Sequence, residues 1–254
     1  RLLSLKTGSL GKTTVVAVTV AKPNGTPFVK KLNVTPSDID IIIEADTFVP
    51  EGYEGRALPG FGTKVRAIAM PHLYKDGVRV NPSDIMYTWD YNGSVLLGGP
   101  ALGRRVVEFT MPEFSRATLG VRAETKDHAT QVMRTETIRA ESPKLVFYEE
   151  SSLFGRAPLA HTSFLFPNDE ATIRAVPYYI DNALVQSPAR AYEWRVNGSS
   201  ISLQDDPYLV TVRKVGGEQV SARAQFSFRS PEHVLQSVDG GFGIQLTDAE
   251  FITF

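Results

Sequence analysis

The stretch Thr7-Gly8-Ser9-Leu10-Gly11-Lys12-Thr13 ends in the Gly-Lys-Thr of a phosphate-binding loop. Such a loop needs a further Gly five positions earlier, where Lys6 stands, and a helix after it to aim backbone N–H groups at phosphate. An alternating β pattern follows instead, so this chemistry is not expected here. The four histidines, His72, His128, His161 and His233, have no metal-ligand spacing, and no Gly-x-Ser-x-Gly elbow accompanies them. Glu44, Asp46, Glu51 and Glu54 crowd one segment, and Glu149 and Glu150 repeat part of it. Hard cations take oxygen ligands from such loops, but Asp-x-Asp-x-Asp spacing is missing and Arg56, Lys64 and Arg66 lie close by. A salt-bridged strand end is the expectation, with no cofactor and no metal. Aromatic residues form the other candidate surface. Phe48, Tyr53, Phe61 and Tyr74 on one side, and Phe154, Tyr178, Tyr179 and Tyr208 on the other, could stack on sugar rings if exposed.

The charge balance narrows the partners. The 254 residues carry 27 Lys and Arg against 28 Asp and Glu, mixed along the chain, a net charge of −1. That is not the concentrated basic surface of a nucleic-acid binder. With no cysteine, disulfides, thiolate metal sites and cysteine nucleophiles are all excluded. No apolar run is long enough for direct membrane insertion in this segment as a helix. The chain opens inside strand-like sequence and is expected to be a trimmed portion of something longer.

The elements that position these residues are strands. Val16 to Val20, Lys64 to Ala69, Thr118 to Glu124, Ala171 to Val176 and Val220 to Phe228 alternate with period two. Turns recur at Pro23-Asn24-Gly25, Lys75-Asp76-Gly77, Asn92-Gly93 and Asn197-Gly198. No segment holds a helical apolar period across three turns; a single helical turn fits only at Pro82-Ser83-Asp84-Ile85.

The pattern occurs twice. Tyr87-Thr88-Trp89-Asp90-Tyr91-Asn92-Gly93 matches Tyr192-Glu193-Trp194-Arg195-Val196-Asn197-Gly198, with the only two Trp of the chain 105 positions apart. That interval is the length of one small β-sandwich. Alternation places Tyr87, Trp89, Tyr192 and Trp194 in the cores. Ile41 to Asp46 matches Leu145 to Glu150, and Ala69 to His72 matches Ala175 to Tyr178. Each copy closes with a hairpin, Ala117 to Ala140 and Glu218 to Phe254. Lys12 to Thr35 reads as such a closing hairpin alone.

The predicted fold is therefore all-β: two tandem β-sandwiches, residues 37–142 and 143–254, preceded by a β-hairpin, residues 1–36, from a partial third copy; the resemblance given next implies that the sandwiches are immunoglobulin-like. The short Pro-containing boundaries at Pro36 and Pro143 predict a stiff array.

The Tyr-x-Trp-x-x-Asn-Gly signature resembles the central strand of bacterial Ig-like and PKD-type domains. With Glu44-Ala45-Asp46-Thr47-Phe48, Tyr53 to Leu58, Asn81 to Trp89 and Phe147 to Glu150, the chain is similar to uncharacterised extracytoplasmic proteins of ultrasmall candidate-phyla bacteria. That resemblance implies a bacterial cell-surface or extracellular location and a non-enzymatic role as a spacer, filament component or adhesin stalk. Protein partners are expected, as neighbouring Ig-like domains or subunits joined by strand pairing. One alternative is an adhesin binding glycan or protein through residues 47–62 and 151–167, with Phe48, Tyr53, Phe61 and Phe154 as contact residues. Another is an accessory part of an extracellular hydrolase.

Overall fold

A computed structural model describes residues 4, 6–23, 25–114, 116–151, 153, 155–159, 163–166, 170–187, 191–202, 206–215, 220–231 and 233–246. The period-two segments form strands throughout. In chain order these are β1 (Thr14–Lys22), β2 (Gly25–Val34), β3 (Asp38–Ala45), β4 (Lys64–His72), β5 (Tyr74–Lys75), β6 (Val78–Arg79), β7 (Ile85–Tyr91), β8 (Ser94–Val95), β9 (Ala101–Leu102), β10 (Val106–Thr110), β11 (Arg116–Thr125) and β12 (Gln131–Arg139). They continue as β13 (Lys144–Ser151), β14 (Gly155–Pro158), β15 (Ser163–Phe166), β16 (Glu170–Tyr178), β17 (Ala191–Val196), β18 (Ser199–Ile201), β19 (Leu209–Arg213), β20 (Val220–Arg229) and β21 (Val238–Leu246). The fold class is all-β, built as tandem β-sandwiches.

Two compact units divide the chain. The first holds residues 1–43, 66–109 and 116–138; the second holds 44–65, 110–115 and 139–254. In the first, β3 and β10 flank β4, while β11 lies between β12 and β7, and β8 and β9 pair with β7. Ile39, Ala67 and Ala69 from one sheet and Tyr87, Trp89, Leu119 and Val121 from the other are buried. The alternation of each strand thus delivers one apolar face to the core.

The second unit repeats the two-sheet plan. One sheet runs β14-β13-β16-β19; the other runs β15-β21-β20-β17-β18. Its core gathers Phe166, Ile173, Trp194, Phe226, Phe228, Phe242 and Ile244. Trp194 lies 5.0 Å from the Phe226 ring and 6.1 Å from Phe147, both tilted, an arrangement favoured by the ring quadrupoles.

The two Trp motifs repeat the same ladder pairing, indole bond and turn. Trp89 pairs across the ladder with Val121, and Trp194 with Phe226, so the partners share the 105-residue interval. Each indole N–H donates to a backbone carbonyl, Arg104 at 3.0 Å and Pro207 at 3.2 Å. Asn92 and Asn197 adopt left-handed backbone (φ 50° and 49°) before Gly93 and Gly198 (φ 81° and 83°), the geometry of a tight hairpin turn. Each Asn side chain also accepts a 2.8 Å bond from the next long strand, from Thr118 N–H and Arg223 N–H.

Two expectations need correction. Tyr192 is not a core residue: it is 38% exposed. It shares its strand face with Trp194 but sits at the strand end, with the tilted Tyr208 ring 6.5 Å away. Tyr87 differs because Pro82–Asp84 forms a 3-10 turn there, and the Tyr87 hydroxyl donates to the Pro82 carbonyl at 3.1 Å. Secondly, Asn182–Gln186 forms a short helix, α1, where no helix was expected. The Asp181 carboxylate caps it by accepting the Ala183 N–H at 2.9 Å. Five residues are too few to leave an apolar period in the sequence.

Candidate functional site

The phosphate-loop look-alike leads straight into β1, with no helix. Gly11 serves the hairpin instead. It has φ +76°, donates its N–H to the Pro36 carbonyl at 3.0 Å, and lies so close to Tyr74 that a Cβ would meet the ring at 2.5 Å. Ser37 Oγ accepts the Tyr74 N–H at 3.2 Å, and the Thr13 and Thr35 hydroxyls bond at 2.8 Å. The base of the β1–β2 hairpin is therefore fixed.

Its strands are not covered. The register places Thr14, Val16, Val18 and Val20 beside Val34, Leu32, Lys30 and Phe28 on one face. On that face Val18, Val20, Phe28, Leu32 and Val34 are exposed, Phe28 by 57%. On the other, Val15 and Val29 are exposed as well. The corresponding inner residues of β11 (Ala117, Leu119, Val121, Ala123) and β20 (Ala224, Phe226, Phe228) are all buried. Apolar faces of this extent are rarely left exposed on a β-hairpin.

The acidic and aromatic segment expected as a binding loop belongs to the second unit. Polar side chains tie it down. Thr47 bridges Asp181 and donates its hydroxyl to the Leu58 carbonyl at 2.8 Å. Phe48 N–H donates to the Ile180 carbonyl at 2.7 Å, and Asn182 Nδ2 to Asp46 Oδ1 at 3.3 Å. Gly60 and the Thr63 hydroxyl exchange two 2.9 Å bonds. The Asp181 N–H donates to Gln236 Oε1 at 2.7 Å. Thr47, Thr63, Asp181 and Gln236 are all buried, and buried polar groups persist only when bonded in this way. None of the four stood out in the sequence, since single polar residues between strands carry no periodic signal.

Of the expected contact residues, Phe48 is half-buried and stacks on Tyr208 with ring centres 6.3 Å apart. Phe61 is also half-buried. Tyr53 is 39% exposed and tilts against Tyr178 at 5.8 Å; Tyr178 in turn meets Tyr179 at 5.9 Å. Tyr178 itself is buried, its hydroxyl 2.6 Å from that of Tyr148. Burial first, and then the Tyr148 hydroxyl, raises the Tyr178 hydroxyl well above the ordinary phenol range. Phe154 and His161 lie outside the described residues.

Of the clustered carboxylates, Glu150 is engaged in ion pairs. Glu150 bonds Arg174, which also reaches Asp206 at 2.7 Å, and Arg156 lies 3.5 Å from Glu150. The Arg174 bond, with further pull from Arg156, holds Glu150 below its usual range. A groove of about 400 Å³ on the outer face of β17, β20 and β21 is lined by Glu193, Arg195, Arg223, Arg229, Asp239 and Gly241. There Ser200 and Arg195 hold Glu193 low, at 2.5 and 3.0 Å. Among the described residues no three His, Cys, Asp or Glu converge to hold a metal ion. No helix among them is long and apolar enough to cross a membrane.

No protein-family model and no curated protein matches this chain. Solved structures align over most of it at low similarity. The fibronectin(III)-like modules of Clostridium thermocellum CbhA align with 84% of this chain and 98% of theirs, at 10% identity and TM-score 0.29. Immunoglobulin domains 1–5 of Sidekick-1 align with 95% of this chain and 68% of theirs, at 10% identity and TM-score 0.23. Cadherin domains 1–5 of protocadherin Gamma B2 align with 95% and 47%, at 8% identity and TM-score 0.25.

Proposed function

We propose that this chain is a non-catalytic structural and interaction module of a bacterial cell-surface or extracellular protein. It acts as a spacer or filament component made of tandem Ig-like modules, residues 37–142 and 143–254. Residues 1–36 are the closing hairpin of a further sandwich, completed by strands from outside it. The observation that carries this reading is the apolar face of β1–β2, exposed where the equivalent faces of β11 and β20 are buried. Strand addition at the hairpin edge would supply the missing hydrogen bonds and cover.

The test is sedimentation of the purified chain across concentration. The chain is expected to self-associate or to capture β partners through the hairpin. Val18→Ser with Phe28→Ser should abolish this while the melting of both sandwiches stays unchanged. A chain that stays monomeric at high concentration overturns the reading.

Exposed Tyr53 beside Tyr178 and Tyr179 favours a second reading, an adhesin that stacks a sugar or peptide on this corner. Glycan-array binding that vanishes in Tyr53→Ala would support it; binding that survives the substitution would sink it.

A further inference from the structure

The expectation of evenly mixed charge fails at the hairpin. Residues 1–37 hold Arg1, Lys6, Lys12, Lys22, Lys30 and Lys31 and no acidic residue. That is six of the 27 basic side chains and none of the 28 acidic ones, which leaves residues 38–254 with 21 against 28, a net charge of −7. Hairpin and body therefore attract, whereas two hairpins, or two bodies, repel.

Resting on the assembly reading above, we infer that the β1–β2 hairpin docks on a second copy of this chain, on its acidic body and not on its hairpin. β3 carries the matching pattern. It lies at the edge of its sheet, and Asp38, Asp40, Ile42 and Glu44 share its outward face. Ile42 is 45% exposed between the acids, as Leu32 is exposed between Lys30 and Val34 on β2. β2 also has an open edge, since its sheet has only two strands. An antiparallel register with Leu32 opposite Ile42 sets Lys30 opposite Glu44, and opposite charges on facing strands stabilise the pair. Asp40 keeps its existing pairs, His72 at 3.4 Å and Arg134 at 3.6 Å, and Glu44 also has a partner within the chain, so Lys30 and Lys31 add to charges already partly met. Donor and acceptor are different surfaces of one molecule. The contact is therefore head-to-tail, and copies add in series instead of closing a two-fold dimer.

Carbodiimide cross-linking of a mixture of ¹⁴N and ¹⁵N chains tests this, because it joins Lys to Asp or Glu only when they touch. Links between copies from Lys30 or Lys31 to Asp38, Asp40 or Glu44 are expected. In sedimentation the mass should rise past dimer. The association constant should fall about tenfold or more between roughly 0.05 and 0.5 M NaCl, as the screening length shortens. Lys30→Glu with Lys31→Glu should remove the association, and Lys30→Gln with Lys31→Gln should weaken it, each with unchanged melting. Association that stops at a dimer, or that ignores or grows with salt, overturns the inference. So do hairpin links to other acids, or an oligomer with no hairpin links. Where Val18→Ser with Phe28→Ser still abolishes that association, the assembly reading survives; where it does not, both fall. A strictly monomeric chain defeats both.

Discussion

Asn92 and Asn197 each do two jobs. They take the left-handed turn conformation that precedes Gly, and they hold the first residues of the following hairpin through a 2.8 Å bond. The turn was legible because Asn-Gly between alternating runs has few other uses. The second role was not, because the bond spans 26 residues. Asn197→Ala should cost about 1–3 kcal/mol, combining left-handed strain with a lost bond, as measured by denaturant unfolding. Asn197→Gly, which keeps only the turn, should lose less.

Tyr87 offers a pH test. Burial pushes its hydroxyl up to about 12, against a smaller opposing pull from Arg105, while an unfolded Tyr titrates near 10. Its folded value is the higher one, so its contribution is complete below about pH 10 and is lost as pH rises toward 12. Unfolding measured between pH 9 and 12 should fall less steeply for Tyr87→Phe than for the parent. Equal slopes would show that the ring is wetter than its burial indicates. The failure at Tyr192 has the same physical root. Alternation assigns a face, but cover depends on what stands over the strand end.

Among elements, long strands and their hairpins were legible and short irregular pieces were not. β11 and β20 fall where the alternation places them, and β12 and β21 fall within the closing hairpins read around them. α1 was missed because its one turn is set by the Asp181 cap and by tertiary bonds. The segment 44–65 was legible as a loop, yet its attachment to the second unit depends on Thr47, Gly60 and Thr63, residues without pattern. Gly60 is the tightest point. A Cβ there would stand 2.0 Å from the Tyr179 carbonyl oxygen, and Tyr179 already has φ +64°. Neither side can yield cheaply. Gly60→Ala should cost about 3 kcal/mol, the upper end of ordinary overpacking costs, seen as a lowered melting temperature of the second unit. Thr63→Val, which deletes the two bonds to Gly60 without adding bulk, should cost about 1–3 kcal/mol.

For the whole molecule, the duplication could be read directly, since two Trp at a fixed interval act as markers of equivalent depth. The charge division could have been read too, from the absence of any acid before Asp38, but it had no meaning until the hairpin faces were seen uncovered. The division into units also bears on fragments. Residues 143–254 alone lack the segment that bonds Ile180, Asp181 and Asn182. That fragment should melt at a lower temperature than the second unit within the chain, and a peptide of residues 44–65 added in excess should raise it. An unchanged melting temperature would show that the segment is dispensable.

The same interleaving sets a schedule for synthesis. Thr47 leaves the ribosome long before Asp181, its bridge partner, has been made. At roughly 5–20 residues per second, that segment waits on the order of ten seconds with Phe48 and Tyr53 bare. The strands on either side of it can already pair during that wait. What looks in the finished molecule like a loop pinned at a corner is, during translation, a held-open clasp whose catch arrives last.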